Sequence, residues 1–229
     1  ARSRARTRLE RAKVEDLRVV LYNGIGKMLD AVEIARSALA ELGAPLPADP
    51  AELGAALGAA FGEVEQARAG RPIHELIDAP RIADPEQAMV LRILCDVFSS
   101  AYAVSPLLLA LVAVRQASLS LRHGHADVSP FGYMSYGFVL SSSGRYAEAI
   151  EWGRLALALN ERIGNAGVAC KLDVVFGMMR FCQRPLRESI PHYTAALTAG
   201  AVLGVWCGWR PGLVAIVALG GSFGESARR

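Results

Sequence analysis

Apolar positions recur along this chain at spacings of three and four, the pattern of helices that bury one face. Runs of Gly, Pro, Asn and Asp separate them. Read from these runs, helices are predicted over residues 9–23, 27–42, 50–69, 84–103, 106–123, 130–142, 145–162, 166–182, 186–200 and 204–219. The stretch Gly43 to Pro47 ends the first pair, and Asp49-Pro50 and Asp84-Pro85 restart helices in cap-then-proline order. Pro191 is expected to kink or delay its helix, because it lacks a backbone donor and clashes with the preceding turn.

Three segments come into register when the sequence is slid against itself: Gly26 to Leu39, Gly144 to Leu157 and Arg184 to Leu197. Met28, Tyr146 and Leu186 correspond, as do Val32, Ile150 and Ile190, then Ala38, Ala156 and Ala196. Each segment follows another helical stretch, and Gly137 is the small residue that lets two antiparallel helices approach closely. From Pro130 onward, Gly137, Leu140, Ala149 and Ala156 meet the tetratricopeptide pattern of small and large positions, while Gly153 stands where a large aromatic is usual. The predicted fold is all-α, a tetratricopeptide-like α-solenoid of antiparallel helix hairpins with irregular repeats of about 34–40 residues.

Composition agrees with a folded helical body, since 52% of residues are apolar and 21% charged. The net charge of +3 hides an asymmetry: Arg2, Arg4, Arg6, Arg8, Arg11 and Lys13 face only Glu10 in the first thirteen residues. We therefore divide the chain into a basic arm, 1–8, and a single helical-repeat domain, 9–229. Loss of the arm is expected to leave folding intact. The arm lacks interleaved aromatics, which argues against nucleic acid as a partner. Cys95, Cys170, Cys182 and Cys207 form no CxxC pair and sit in apolar helical patterns, as free thiols of a reducing cytoplasm do. No apolar signal region follows the arginines. Ser105 to Val114 and Ala201 to Phe223 are the most apolar stretches, but Arg210 and Pro211 interrupt the second. Neither offers about 20 uninterrupted apolar residues, so no membrane span is expected.

Taken in order, Leu21-Tyr-Asn-Gly, Ala44-Pro-Leu-Pro, Gly70-Arg-Pro-Ile-His-Glu-Leu-Ile-Asp, Asp84-Pro-Glu, Leu119-Ser-Leu-Arg-His-Gly and Tyr133 to Gly137 resemble a known family along most of the chain. That family is the helical-repeat region of large multidomain bacterial signalling proteins. In those proteins a serine-threonine-kinase-like domain and an AAA-type ATPase precede the repeats, and sensor or histidine-kinase domains often follow. The resemblance implies a regulatory linker with its ATP chemistry outside the present sequence, and a chain that is a fragment or a truncated member.

Candidate chemistry is sparse. Asn23-Gly-Ile-Gly-Lys27 invites a phosphate-loop reading, yet Leu21 stands where that loop needs glycine and Met28 where it needs Ser or Thr. His123, His125 and Asp127 could ligate a metal, but a helix end explains them better: cations close the helix, Gly124 stops it and Asp127 caps the next. His74 and His192 are isolated. No catalytic residue, cofactor or metal is therefore expected. The groove positions of the first helix of each repeat are Phe131, Met134, Phe138, Ser141 and Ser142, then Lys171, Val174, Met178, Phe181 and Cys182. Such a stripe suits a protein segment anchored on aromatics and methionines, or else belongs to the core. A small-ligand sensor with a pocket between helices is the alternative. At the end, Trp206, Trp209, Val214 and Val217 make an apolar helix without a following partner, expected to self-associate.

Overall fold

The computed structural model describes residues 7–181, together with His192 and Thr194. The described residues are helical, with no strand: α1 (Arg8–Gly24), α2 (Met28–Glu41), α3 (Pro50–Arg68), α4 (Pro85–Val104), α5 (Pro106–His123), α6 (Ser129–Ser142), α7 (Tyr146–Ile163) and α8 (Ala166–Phe181). A short 3-10 helix, Ile73–Asp78, lies between α3 and α4.

Local chemistry sets most of these boundaries. Asp49 and Asp84 each accept two backbone N–H groups at the start of a helix whose first residue is proline, and Ser105 does the same for Leu108 ahead of Pro106. A side-chain oxygen in this position satisfies donors that have no partner within the helix. At the C-terminal ends, Gly164 adopts the left-handed conformation after α7, where a Cβ would be strained.

The basic arm ends sooner than its composition suggests. Thr7 caps α1 in a reciprocal box: its hydroxyl accepts from Glu10 N at 3.1 Å, and Glu10 Oε2 accepts from Thr7 N at 3.2 Å. Arg8 is already helical and lies 3.8 Å from Glu86. Removing residues 1–6 should therefore leave the melting temperature unchanged, whereas removing 1–8 should cost about 1 kcal/mol through the lost cap. Thermal melts of the two truncations check this; equal melts would mean the cap contributes nothing.

Helix contacts follow a repeated scheme. The hairpin α1–α2 receives α4 on both of its helices, and α6–α7 receives α8 in the same manner. The helix α5 joins α4 to α6, while α3 packs on α5 rather than on its sequence neighbour α2. Ser118 donates to Glu63 at 2.8 Å and Arg122 pairs with Glu63 at 3.3 Å, fixing α3 there, while Arg115 donates to the Pro45 carbonyl at 2.6 Å and ties down the segment between α2 and α3.

At the centre lies α6, whose first nine residues, Ser129 to Gly137, are all buried. Its near-uniform burial follows from having α5, α7, α8 and α4 around it. The α6–α7 crossing is close at Gly137, where a Cβ would stand 2.8 Å from the Ala149 carbonyl oxygen. At Gly153 the missing aromatic is supplied by another helix: a Cβ there would meet the Phe176 ring at 2.6 Å. Trp152 beside it is wholly buried, edge-on to Tyr136 with centroids 5.0 Å apart.

Candidate partner-binding site

The row formed by α1, α4, α6 and α8 carries the residues of interest, because α4 touches α1 and α6, and α6 touches α8. Of the expected groove positions, Phe131, Met134 and Val174 are buried, and Phe138 and Met178 are half-buried. Phe181 is the last described residue of α8. Phe131 packs edge-on against Phe98, centroids 4.9 Å apart. Burial changes the part these side chains play: Phe131, Met134 and Val174 join helices together, leaving Phe138 and Met178 partly exposed. Trp206, Trp209, Val214 and Val217 lie outside the described residues, as do Cys182 and the segment Arg184 to Leu197 apart from His192 and Thr194.

Lys171 joins what the pattern left apart. Its Nζ reaches across the Phe131 ring, 5.5 Å from the centroid, to Asp96 Oδ1 at 3.1 Å on α4. Asp96 also binds Arg92 Nε at 3.3 Å, and Arg92 Nε lies 3.6 Å from Asp16 Oδ2 on α1. Asn23 of α1 donates to the Asp96 carbonyl at 2.6 Å, and Ser100 donates to Asn23 Oδ1. Two acids and two cations from three helices thus share one cluster, extended by a carboxamide and a hydroxyl.

Electrostatics within it are uneven. Burial, reinforced by the nearby Asp96 charge, raises the Asp16 carboxyl from its ordinary range to about 7, against the opposing pull of Arg92 and Lys171. Its Oδ1 has no hydrogen-bond partner. Burial likewise pushes the Cys95 thiol, 3.7 Å from Lys171 Nζ, up to about 11. A thiol held protonated is a poor nucleophile. Sequence reasoning found Lys171 but not its partners. Only the four-residue spacing of Arg92 and Asp96 was a local signal; Asp16 and Lys171 are brought together by tertiary packing.

The other chemical-looking positions separate on folding. His125 is buried, with Nε2 3.1 Å from the Tyr133 hydroxyl, and burial holds it down at about 4, assisted by Arg81. Asp127 is exposed and pairs with Arg81 at 2.7 Å, and His123 is exposed. Among the described residues no three His, Cys, Asp or Glu side chains gather into a metal-binding set. In the Asn23–Lys27 turn, Ile25 and Lys27 donate their N–H groups to the Leu21 and Tyr22 carbonyls. Those donors are spent on α1 itself.

A recess of about 370 Å³ lies elsewhere, walled by Glu65, Arg68, Arg71, Arg145, Glu148 and Glu151. Its charges already pair: Arg68 meets Glu148 at 3.3 Å, and Arg145 donates to the same carboxylate from Nε at 2.9 Å. The helix α4 is long and apolar enough to cross a membrane, but 56% of its apolar window is buried and it carries Arg92 and Asp96. Core packing accounts for its composition. No protein-family model, curated protein or solved structure matches this chain.

Proposed function

We propose that the chain is a non-catalytic protein-binding scaffold, a tetratricopeptide-like stack of hairpins that holds a segment of another protein or of a neighbouring domain along the row α1, α4, α6 and α8. The observation that carries this reading is the twice-repeated packing of a hairpin with the following helix, α1–α2 with α4 and α6–α7 with α8. It brings first helices side by side and concentrates Asp16, Arg92, Asp96 and Lys171 on them. Such a cluster offers both signs of charge to a partner, and so favours specificity over raw affinity. The resemblance to bacterial signalling proteins makes such a scaffold cytoplasmic and regulatory, with kinase or ATPase chemistry on other domains.

Selection from a library of random extended peptides on the whole chain tests the reading. Enriched peptides should bind with micromolar affinity, roughly the range of single-segment recognition, and carry charged residues flanking apolar anchors. Failure to enrich any peptide would remove the scaffold reading.

The same reading makes the chain inert toward nucleotides. Purified protein should show no saturable ATP hydrolysis, because the glycine-lysine turn lacks the phosphate-loop spacing. Turnover that disappears in Lys27→Ala would overturn this.

A further inference from the structure

Pairing within the recess of about 370 Å³ stops short of two of its charges. Arg68 and Arg145 each lie on Glu148 and 3.9 Å from Glu65, so these four side chains form one linked set. Arg71 and Glu151 stand outside it. Among the described residues neither meets an opposite charge, and Glu151 has no hydrogen-bond partner either.

Arg71 is nonetheless held in place. Its Nε donates to the Arg68 carbonyl at 3.2 Å and its Nη2 to the Ala67 carbonyl at 3.1 Å, so the last carbonyls of α3 fix the guanidinium and leave Nη1 free. The turn that brings it there runs through Ala69 at φ 51° and Gly70 at φ 71°, and Ala69 is the one non-glycine residue with positive φ among the described residues. Two further groups lack partners. Arg68 Nε is buried without one, and so is the hydroxyl of Tyr136, a wholly buried side chain of α6 whose hydroxyl feels the charges of Glu65, Arg145, Glu148 and Arg68. Buried polar atoms are normally paired, and orphans gathered behind one recess point to a polar occupant.

Charge decides which occupant. The wall is neutral, with three arginines against three glutamates, and the two uncommitted groups carry opposite signs. An anion alone would meet Glu151 and a cation alone would meet Arg71, whereas a zwitterion answers both. Pro72 and Ile73 add an apolar side to the lining, and the volume lies at the small end of ligand pockets. We propose that this recess binds a free α-amino acid with an apolar side chain, its carboxylate on Arg71, its ammonium on Glu151 and its side chain toward Pro72 and Ile73. The lining residues come from α3, the segment 70–73 and the start of α7, none from the row α1, α4, α6 and α8. The inference therefore stands apart from the scaffold reading above.

Calorimetric titration of L-alanine, L-valine, L-leucine and L-phenylalanine, each into the whole chain, tests the proposal. At least one should bind with a Kd between about 10 µM and 1 mM, the range for a ligand of so few atoms. The N-acetyl and amide derivatives of that amino acid, each lacking one of the two charges, should bind at least about tenfold more weakly, the usual cost of losing a hydrogen bond to a charged group. Arg71→Met and Glu151→Gln, both at exposed positions, should show the same loss while keeping their circular dichroism. The derivatives make the test independent of how either variant folds. No binding of any of the four at 10 mM, roughly tenfold above that range, would overturn the proposal. So would derivatives that bind as well as the parent amino acid, or an affinity unchanged in either variant.

Discussion

Replacing Gly137 with valine should cost the chain about 3 kcal/mol, the upper part of the range for forcing extra carbons into a packed core. The Cβ alone would stand 2.8 Å from the Ala149 carbonyl oxygen, and 3.4 Å from both Met179 Sδ and Trp152 Cβ. The first of these is backbone, so α6 and α7 must separate rather than a side chain rotate away. Separation loosens α8 too, because α8 packs on both. The control is Gly58→Ala in the middle of α3, an exposed site where an added Cβ meets nothing within 4 Å. That change should stabilise by up to about 1 kcal/mol through helix propensity. Chemical denaturation of both variants checks the pair; a neutral Gly137→Val would mean the crossing is not close.

Punctuation explains how much of the fold was legible. Asp49-Pro50 and Asp84-Pro85 announce helix starts chemically, and those helices begin within a residue of the predicted positions. The 3-10 helix Ile73–Asp78 was not foreseen, since six residues are too few for a periodic signal; it is held by burying Ile73 and Leu76 and by its contact with α7. Periodicity reveals which face of a helix is apolar and is silent on what covers it. That is why the seating of α3 on α5 was missed, and why Phe131 and Met134 could be read either as groove or as core. At Gly153 the pattern broke because the aromatic that fills the space, Phe176, belongs to α8. The charge cluster was the least legible part, being assembled from residues as distant as Asp16 and Lys171.

Two buried groups should give this protein opposing responses to acid. His125 is held at about 4, below its ordinary 6.5. Its contribution to stability is therefore complete above pH 6.5 and is lost as pH falls toward 4, because the unfolded chain takes up the proton first. Asp16 is held at about 7, above its ordinary 3.8. Its contribution is complete below pH 3.8 and is lost as pH rises through 7, because the folded chain keeps the proton longer. The displacements are worth on the order of 3 kcal/mol for His125 and 4 kcal/mol for Asp16, with opposite signs across nearly the same window. In Asp16→Asn the stabilising response to acid disappears, and stability should fall steeply between pH 6.5 and 4. In His125→Gln, which keeps a hydrogen-bonding group near Tyr133, stability should rise on acidification. Urea titrations at pH 4.5, 5.5 and 6.5 read these slopes. Identical slopes in wild type and Asp16→Asn would mean that Asp16 is ionised in the folded protein throughout.

The central claim is that the row α1, α4, α6 and α8 receives a protein segment at its charge cluster. Calorimetric titration of a selected peptide into the whole chain and into Lys171→Met tests it most directly, since Lys171 touches Asp96 and Phe131 together. The account predicts binding weakened at least about tenfold, the usual cost of losing one partner of a desolvated charge pair, with the fold retained by circular dichroism. Equal affinity for both proteins would contradict it.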